Sequence, residues 1–307
     1  MAALDLSVVI VNYNSLDYVR RCLTSLDEGA RGLAWEAVVV DNASREPGVE
    51  ALPCAFPHVR VLRRTRNDGF AAGANAGIRA ARADVVFLLN PDTRVMPDAA
   101  GTLLRYLRTH PDVGIVAPKL VNPDGSLQLS CRRFPTLWAG LFNRYSLLTR
   151  LLPGNRFSTA YLMTDWDHAC ARDVDWVSGA AMMLGKVALE RVGGFDEGYF
   201  FAMEDVDLCR RVHDAGLRVV YLPTAVVEHR IGGSSSTVPA RALIARHRGM
   251  WRYYRRYLRR GPPLDALVAA GIAARCVLHL GLLVALRARR RLPGRFRQGE
   301  GEQEQGA

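Results

Sequence analysis

The chain has 307 residues, of which 49% are hydrophobic and 23% are charged, and both values are ordinary for a globular protein. They exclude a chain too polar to bury a core, and the length allows one large domain or two modest ones. The net charge of +11 is unevenly placed, because the segment from Arg241 to Arg297 holds fifteen Arg and one acid, Asp265. Residues 1–240 are therefore close to neutral, and a cationic partner surface is expected only in the C-terminal segment.

The cysteines and the start of the chain indicate a compartment. Six cysteines are widely scattered and form no C-x-x-C pair. The sequence begins with the short leader MAALDL and a strand pattern, without the basic and apolar regions of a signal peptide. Both features predict a cytosolic protein with reduced thiols.

Apolar strand patterns and helix patterns alternate along the first part of the chain. Strands are predicted at residues 6–11, 36–40, 59–62, 85–89 and 113–117, and helices at 16–26, 70–82 and 97–110. This alternation with short loops predicts an α/β fold with a parallel sheet, whose ligands bind beyond the carboxyl ends of the strands. Polar residues follow four of these strands, so four loops should converge on one crevice: Asn12, Asp41, Asn67 and Asp92.

The middle of the chain is less regular. A turn is predicted at 122–125, a short strand at 126–130, and a mobile or acceptor-facing loop at 137–152. Further strands are predicted at 177–184, 218–221 and 226–229, and a helix at 186–192. The Gly/Ser-rich stretch at 230–239 is predicted to be a flexible loop.

The stretch from Gly194 to Gly216 places adjacent carboxylates, Glu204 and Asp205, in the first turn of a predicted helix. An apolar aromatic segment precedes them and would shield them partly from water, which raises the basicity of a carboxylate. A second interpretation is that acids in a first turn only complement the helix dipole. The other polar residues at strand ends favour the catalytic interpretation.

Three further side chains allow both a functional and a structural interpretation. Asp92, at the end of an apolar strand, and His229, much later in the chain, could hold a divalent cation that neutralises a diphosphate. His229 could equally be a satisfied histidine at a strand end. Asp41 could accept hydrogen bonds from a nucleobase or ribose, or it could cap its own turn.

A set of ordered motifs resembles a known family. The chain carries, in this order, VVIVNYNS, VVVDNAS, NDGFAAGANAGI, FLLNPDT, VSGAAMML, GGFDEGYFFAMEDVDLCRRVHDAG and EHRIGGS. Over about residues 6–235 it resembles the family 2 inverting glycosyltransferases of GT-A fold, above all their bacterial rhamnosyltransferase-type members. The resemblance implies a Rossmann-like, mostly parallel sheet flanked by helices.

The resemblance also implies roles for individual residues. The donor nucleotide sugar would contact Asn12, Tyr13, Asn14, Asp41, Asn67, Gly69, Asn75, Asn90 and Asp92. The sugar and acceptor pocket would include Trp176, Ser178 and Gly179. Asp205 would be the general base, and Glu204 would orient the acceptor or support Asp205.

The metal motif departs from the family pattern. Asn90-Pro91-Asp92 stands where the family carries D-x-D, so Asp92, with help from His229, would bind Mg²⁺ or Mn²⁺. Asn90 leaves one carboxylate fewer than the motif provides, which predicts a modest metal affinity.

The implied activity is transfer of one sugar, with inversion, to a hydroxyl of a glycan or polyprenyl-diphosphate-linked acceptor in cell-envelope polysaccharide synthesis. The Q-x-x-R-W motif of processive synthases is absent. Likeness favours dTDP-rhamnose as donor, although a UDP-hexose donor for galactosyl or N-acetylglucosaminyl transfer would need similar residues. The alternative from another class is a nucleotide-binding or nucleic-acid-binding protein without transferase activity.

The C-terminal segment predicts a membrane contact. A cationic helix at 240–260 carries Trp and Tyr among its arginines, and an apolar stretch follows at 264–286. Arg275 interrupts that stretch, and an Arg near the centre of a transmembrane span costs about 2.5–3.5 kcal/mol. A helix lying in an anionic membrane interface, peripheral at the cytosolic face, is therefore favoured over a transmembrane one.

Two alternatives remain for this segment. The apolar stretch could pack on the catalytic domain as an ordinary amphipathic helix, and the Arg/aromatic helix could bind nucleic acid through phosphate contacts and base stacking. The predicted organisation is a GT-A catalytic domain at 1–239, a helical membrane-associating segment at 240–298, and a disordered tail at 299–307.

Overall fold

The computed structural model of the protein describes residues 3–137, 156–232 and 239–291. Three predicted features fall wholly or largely outside these residues, namely the loop at 137–152, the flexible stretch at 230–239 and the tail at 299–307.

The structure is an α/β fold, as predicted. Its strands are β1 Leu6–Asn12, β2 Trp35–Asp41, β3 Val59–Arg63, β4 Val86–Leu89, β5 Thr93–Val95, β6 Val113–Val121, β7 Leu127–Gln128, β8 Cys131–Arg132, β9 Arg172–Asp173, β10 Trp176–Val177, β11 Ala181–Leu184 and β12 Arg218–His229. Its helices are α1 Leu16–Gly29, α2 Leu52–Ala55, α3 Phe70–Ala80, α4 Ala99–Thr109, α5 Arg156–Leu162, α6 Lys186–Val192, α7 Glu204–Asp214, α8 Pro239–Tyr253 and α9 Pro262–Arg291. A π-helical turn, Tyr254–Leu258, extends α8.

The main sheet has the strand order β3-β2-β1-β4-β11-β6-β12-β5. The pairs β1–β2, β1–β4, β2–β3 and β6–β12 are parallel, which confirms the predicted mostly parallel sheet. The sequence did not predict that β11 lies antiparallel between β4 and β6. A short buried apolar run has the same pattern in either strand direction, so periodicity could not determine this orientation.

Two strand predictions were wrong in their bounds. The strand predicted at 177–184 is divided into β10 and β11 by Ser178–Ala180, and β10 pairs with β8 in a separate two-stranded sheet. The strands predicted at 218–221 and 226–229 are one strand, β12. Its pairing with β6 shifts between Leu222 and Val226, around Pro223, which has no amide hydrogen to donate to a ladder.

Apolar cores cover both faces of the sheet. Alternate residues of β1 point to opposite faces, so Val8 and Ile10 pack in one core while Val9 and Val11 pack in the other. The first core includes residues of α1 and α4, and the second includes residues of α7. A sheet covered in this way exposes its ligand-binding chemistry at strand ends rather than on a face.

The two C-terminal helices, α8 and α9, differ in how far their side chains are buried. Tyr253 of α8 is 1% exposed and belongs to the second core, whereas α9 has no buried residue between 262 and 285. Helix α9 still contacts α8, where the rings of His247 and His279 lie 5.7 Å apart, so both packing on the protein and membrane contact stay predictions for the apolar stretch. By length and composition alone, residues Pro262–Ala285 could also cross a membrane.

The structure does not support nucleic-acid binding by the Arg/aromatic helix. Tyr253 and Tyr254 are buried, so their rings are not free to stack on bases. Arg252 forms an ion pair with Asp196 at 2.9 Å.

Candidate active site

The ends of β1 and β2 form the first part of the site. The two strands are parallel neighbours in a register that sets Asn12 opposite Asp41. Asn12 Nδ2 donates a hydrogen bond to Asp41 Oδ1 at 3.0 Å, and both residues are 1% exposed. The loops beyond are joined as well, because the Asn14 amide donates to Ser44 Oγ at 2.9 Å. Tyr13, half-buried, lies between these contacts.

A cleft opens beside these loops. It has a volume of about 430 Å³ and is lined by Ala43, Ser44, Arg63, Arg64 and Thr65. This volume is typical of small-molecule sites. Both Arg side chains are paired with acids, Arg63 with Glu50 and Arg64 with Asp68. Arg63 Nε also lies 3.9 Å from Asp41 Oδ2. The predicted donor residue Asp41 therefore lies next to a cleft with arginines in its wall.

The loop after β3 joins this region to the chain segment that leads to Glu204. Asn42 Nδ2 donates to Asn67 Oδ1 at 3.0 Å, and the Gly69 amide donates to the same oxygen. Gly69 has φ +101°, and a Cβ at this position would overlap the backbone of Phe200. The Phe70 amide then donates to the Phe200 carbonyl at 2.9 Å. Only glycine fits this close approach without strain.

Asn75 acts on the same segment. Its Nδ2 donates to the Phe195 carbonyl at 2.9 Å, and the Phe195 amide donates to its Oδ1 at 2.7 Å. Asn75 is 7% exposed, so its amide group fixes the main chain ahead of Glu204. The sequence predicted Asn75 as a donor-contacting residue; the structure places it against this main chain.

Asp92 and His229 lie together, as predicted. β5 pairs antiparallel with β12 in a register that sets Thr93 opposite His229. His229 Nε2 is 3.4 Å from Asp92 Oδ1, and Asp92 is 6% exposed. Asn90 stands at the start of the same turn, where its carbonyl accepts a hydrogen bond from Thr93 Oγ1 at 2.7 Å.

The orientation of the His229 ring is fixed through its second nitrogen. His229 Nδ1 is 2.7 Å from Gln128 Oε1, and Gln128 Nε2 donates to the carbonyl oxygen of His229 and to Asn122 Oδ1. Since Gln128 Oε1 can only accept, Nδ1 donates this hydrogen bond and the ring is held with Nε2 facing Asp92.

An imidazole nitrogen and a carboxylate oxygen that lie 3.4 Å apart could both bind one divalent cation. Mg²⁺ is commonly bound through one or two protein carboxylates together with substrate phosphates. The described residues contain no group of three metal-ligating side chains. Asp92 and His229 therefore fit a cation whose remaining ligands come from substrate and water.

The predicted acceptor residues line the break between β10 and β11. Trp176 is 7% exposed, and its Nε1 donates to the Arg133 carbonyl at 2.8 Å. The Ser178 amide donates to the Ser130 carbonyl at 2.8 Å. The Gly179 amide donates to Asp205 Oδ2 at 3.1 Å. The strand break thus presents a main-chain donor to Asp205.

The two adjacent acids have different partners. Asp205 accepts hydrogen bonds at both oxygens, one from Gly179 and one from the Val206 amide at 2.9 Å. Glu204 is 7% exposed, and its Oε2 has no hydrogen-bond partner among the described residues. The preceding residues Ala202 and Met203 have φ values of 65° and 77°, in the left-handed region that non-glycine residues rarely adopt.

These surroundings shift the pKa values of both acids. Burial and the neighbouring Asp205 carboxylate raise the pKa of Glu204. Burial also raises the pKa of Asp205, but the Gly179 and Val206 amides and the Arg132 charge act in the opposite direction. The two main-chain amides and the Arg132 charge favour the ionised form of Asp205, whereas burial and the Asp205 charge favour the protonated form of Glu204. Asp205 is then a stronger base than an exposed aspartate.

Sequence reasoning missed two charged side chains near this pair. Arg132 stacks its guanidinium 5.1 Å from the centroid of the Trp176 ring, and its charge favours the ionised form of Asp205. Asp207, on the first turn of α7, is fully buried. Asp207 could have been found from the sequence, because it lies three residues after Glu204 on the predicted helix and so near the same face. Nothing in the sequence distinguishes Arg132 from its arginine neighbours.

Known proteins share this architecture. The family model described as glycosyl transferase family 2 matches residues 7–162, and that described as glycosyl transferase family group 2 matches residues 85–288. The structure resembles that of GalNAc-T7 with UDP, GalNAc and Mn²⁺, with a TM-score of 0.57 and 17% identity over 75% of this chain and 44% of that one. It also resembles the mannosyltransferase PcManGT from Pyrobaculum calidifontis, solved with GDP-Man and Mn²⁺, with a TM-score of 0.55 and 17% identity over 95% of this chain and 82% of that one. These likenesses show the GT-A fold.

Two relatives are similar in sequence. The N-acetylglucosaminyl-diphospho-decaprenol L-rhamnosyltransferase of Mycobacterium tuberculosis is 33% identical over 282 residues, covering 83% of this chain and 89% of the relative. Rhamnosyltransferase WbbL of Escherichia coli K12 is 26% identical over 226 residues, covering 70% of this chain and 80% of the relative. The motif order, the fold and these identities together show that the chain is a glycosyltransferase and belongs to glycosyl transferase family 2.

Proposed function

We propose that the protein transfers one sugar from a nucleotide-sugar donor to a hydroxyl of a lipid-linked glycan, with inversion at the anomeric carbon. The observation that carries this proposal is the Glu204–Asp205 pair. Asp205 is oriented by two main-chain amides, and burial raises the pKa of both Asp205 and its neighbour Glu204. A carboxylate with raised proton affinity and a fixed direction is what removal of a hydroxyl proton requires.

The proposed reaction is a single in-line displacement. Asp205 takes the proton of the acceptor hydroxyl while that oxygen forms a bond to the anomeric carbon. The bond from that carbon to the diphosphate oxygen breaks on the opposite side, and the nucleoside diphosphate leaves with the bonding electrons. Glu204, protonated, adds no second negative charge beside Asp205 as the proton moves.

The donor would occupy the cleft at the strand ends. Asn12 and Asp41 would contact the base and ribose, while Arg63 and Arg64 supply positive charge near the phosphates. Asp92 and His229 would hold Mg²⁺ or Mn²⁺, and the bound cation would neutralise charge on the departing diphosphate.

The names of the two relatives support a particular donor and a particular acceptor for this enzyme. Both are rhamnosyltransferases by name, and one is named for an N-acetylglucosaminyl-diphospho-decaprenol substrate. We therefore propose dTDP-rhamnose as donor, a polyprenyl-diphosphate-linked sugar as acceptor, and a role in cell-envelope glycan synthesis.

The C-terminal helices would bring the enzyme to such an acceptor. Exposed apolar side chains cover α9: Leu267, Val277, Leu278, Leu282 and Val284. Apolar surface on a helix in an Arg-rich segment is typical of an element that binds anionic membrane. We propose a catalytic domain at 1–239 and a membrane-associating segment at 240–298, at the cytosolic face.

A donor panel tests the activity. The full-length protein is incubated with dTDP-rhamnose, UDP-galactose or UDP-N-acetylglucosamine, a short-chain polyprenyl-diphosphate-linked N-acetylglucosamine, and Mn²⁺, and released nucleoside diphosphate is measured. We expect release with dTDP-rhamnose that depends on acceptor and stops in excess EDTA. Release with a UDP-sugar only would overturn the proposed donor, and undiminished release in EDTA would overturn the metal.

Vesicle flotation tests the membrane contact. We expect the full-length protein to float with anionic vesicles, and the double variant Leu278→Gln/Leu282→Gln to float less. Val187→Gln is the matched control, because Val187 is also an exposed apolar residue but lies on α6. Equal flotation of all three proteins would contradict a membrane contact through α9.

A further inference from the structure

Asp207 is a fully buried carboxylate that the proposed reaction does not use. Its Oδ2 accepts a hydrogen bond from Arg211 Nε at 2.8 Å on the same helix. Its Oδ1 accepts from Tyr257 Oη at 2.9 Å, Arg256 Nη1 at 3.2 Å and Tyr199 Oη at 3.4 Å. A buried charge needs partners of this kind. Asp207 therefore links helix α7 to the C-terminal segment through hydrogen bonds.

Arg256 makes a second attachment with the same nitrogen. Its Nη1 lies 3.2 Å from Asp207 Oδ1 and 3.1 Å from Asp196 Oδ2. Arg252 adds hydrogen bonds from Nε and Nη2 to the Asp196 carboxylate. Asp196 lies in the chain segment before Glu204, so these arginines tie that segment to the start of α7.

A close approach of helix α8 to the main chain lies immediately before the catalytic acids. Helix α8 approaches the chain so closely at Gly249 that a Cβ there would lie 2.8 Å from the Ala202 carbonyl oxygen. Ala202 and Met203 are the residues with left-handed backbone conformations. Such conformations cost on the order of 1–3 kcal/mol each and persist only where surrounding structure holds them.

Glu204 and Asp205 thus lie between two points held by the C-terminal segment, Ala202 on one side and Asp207 on the other. We propose that Gly249, Arg256 and Tyr257 are positioning residues that hold the Glu204–Asp205 turn in the geometry for proton removal. We name these three residues and Asp207 the C-terminal clamp. The proposal rests on Asp205 being the base.

The clamp predicts a particular kinetic effect. Misplacement of a catalytic group by about 1 Å can cost about 10²-fold in rate. The donor cleft at the ends of β2 and β3 contains no clamp residue. Weakening the clamp should therefore lower kcat and leave donor affinity unchanged, whereas general loss of folded protein would lower both.

The experiment compares Arg256→Gln with Arg255→Gln in the full-length enzyme. Arg255 is the adjacent residue, is exposed, and gives the same change of charge. Arg256→Lys is the conservative variant, since one ammonium group can replace the single nitrogen that bridges Asp196 and Asp207. Tyr257→Phe removes only the hydroxyl that bonds to Asp207. For each variant we measure kcat at saturating substrates, the donor Kd by calorimetry, and the Tm.

We expect Arg256→Gln to lower kcat by about 10-fold or more and Tyr257→Phe by about 3-fold or more, both with wild-type donor Kd. Arg256→Lys should recover most of the loss, and Arg255→Gln should behave as wild type. Equal kcat for Arg256→Gln and Arg255→Gln would overturn the clamp, as would a parallel loss of kcat and donor binding in Tyr257→Phe. Asp205→Asn is measured beside them: if it retains full turnover, the proposed base is wrong, and the clamp fails for that separate reason.

Discussion

The crevice has two sides: the donor side, at the ends of β1, β2 and β3, and the base side, around Glu204 and Asp205. Their polar side chains find hydrogen-bond partners in different ways. At the ends of β1, β2 and β3, Asn12, Asp41 and Asn42 hydrogen-bond to one another or to neighbouring loops through side chains. On the base side, Asp205 is held by two main-chain amides, and Glu204 has an oxygen without a hydrogen-bond partner in the described part of the chain.

This difference corresponds to two chemical tasks. A binding site needs donors and acceptors in fixed places and in their ordinary protonation states. A general base needs a proton affinity near the working pH; burial raises that of the Asp205 carboxylate, and its two main-chain donors fix its direction. Changes on the donor side should therefore alter donor affinity, and changes on the base side should alter turnover and pH dependence.

Among the effects expected at Asp92, at Asp41, on the stability of Glu204→Gln and at Arg132, the largest is that at Asp92. Asp92→Asn removes the carboxylate at the proposed cation site while keeping the side-chain shape. We expect kcat/KM to fall by about 10²–10³-fold, the loss typical of a group that stabilises transition-state charge. The Mn²⁺ concentration for half-maximal activity should also rise. Asp124→Asn, in an exposed turn, is the charge-matched control, and an unchanged Mn²⁺ requirement in Asp92→Asn would contradict this site.

Asp41→Asn should weaken donor binding. The replacing amide can still accept from Asn12 Nδ2. Its NH2 group, however, takes the place of Asp41 Oδ2, which faces the Ser44 amide and Arg63 and would accept from the nucleotide. The cost of such a change is about 1–3 kcal/mol, which corresponds to about 5–150-fold in donor Kd. Calorimetry of donor binding measures it. A fall in kcat at saturating donor with unchanged Kd would contradict the assignment of Asp41 to donor binding.

Glu204→Gln should change the pH dependence of stability. The pKa of Glu204 is raised from 4.5 to about 8 in the folded protein. Between these values the folded chain keeps a proton that the unfolded chain has lost, so this group makes the free energy of unfolding fall as pH rises, by up to about 1.4 kcal/mol per pH unit. Glu204→Gln removes that slope.

Urea unfolding at pH 5, 6.5 and 8 measures the difference between the two proteins. We expect the variant to gain stability relative to wild type as pH rises, since the wild-type carboxyl group loses stabilisation between its unfolded and folded pKa values. A difference that is constant with pH would show that Glu204 does not hold a proton.

The smallest effect is expected at Arg132. Its positive charge favours ionised Asp205, so Arg132→Gln should raise the pKa of Asp205. The acid limb of the kcat/KM profile should move to higher pH by less than about one unit. Arg133→Gln is the neighbouring control, because Arg133 pairs with Asp175 at the surface. If the acid limb of the kcat/KM profile does not move in Arg132→Gln, a group other than Asp205 determines it.

The sequence predicted the donor side more fully than the base side. Buried β-branched runs mark parallel strands, and the polar residue after each run then lies at one edge of the sheet. The neighbouring positions of Asn12 and Asp41 follow from that pattern, as the register of β1 and β2 shows. The roles of these residues in donor binding stay predictions.

The base side depends on contacts between distant segments, which local patterns do not contain. The break at Ser178–Ala180 lies within a run that reads as one strand, yet it supplies the amide that bonds Asp205. Arg132 reaches the site through the small sheet of β8 and β10. The attachment of Arg256 to Asp207 spans 49 residues of sequence. From charge composition alone, Arg256 belongs to the basic segment in which a partner surface is expected.

The measurement that tests the central claim most directly is the turnover of Asp205→Asn and Glu204→Gln, side by side, with saturating donor and acceptor. We expect Asp205→Asn to lose about 10²–10⁴-fold in kcat with an unchanged donor Kd, the range typical of a positioned base. Glu204→Gln should stay within about 10-fold of wild type, because the amide replaces a carboxyl group that is already protonated. Wild-type turnover in Asp205→Asn, or the larger loss in Glu204→Gln, would contradict the assignment of Asp205 as the base.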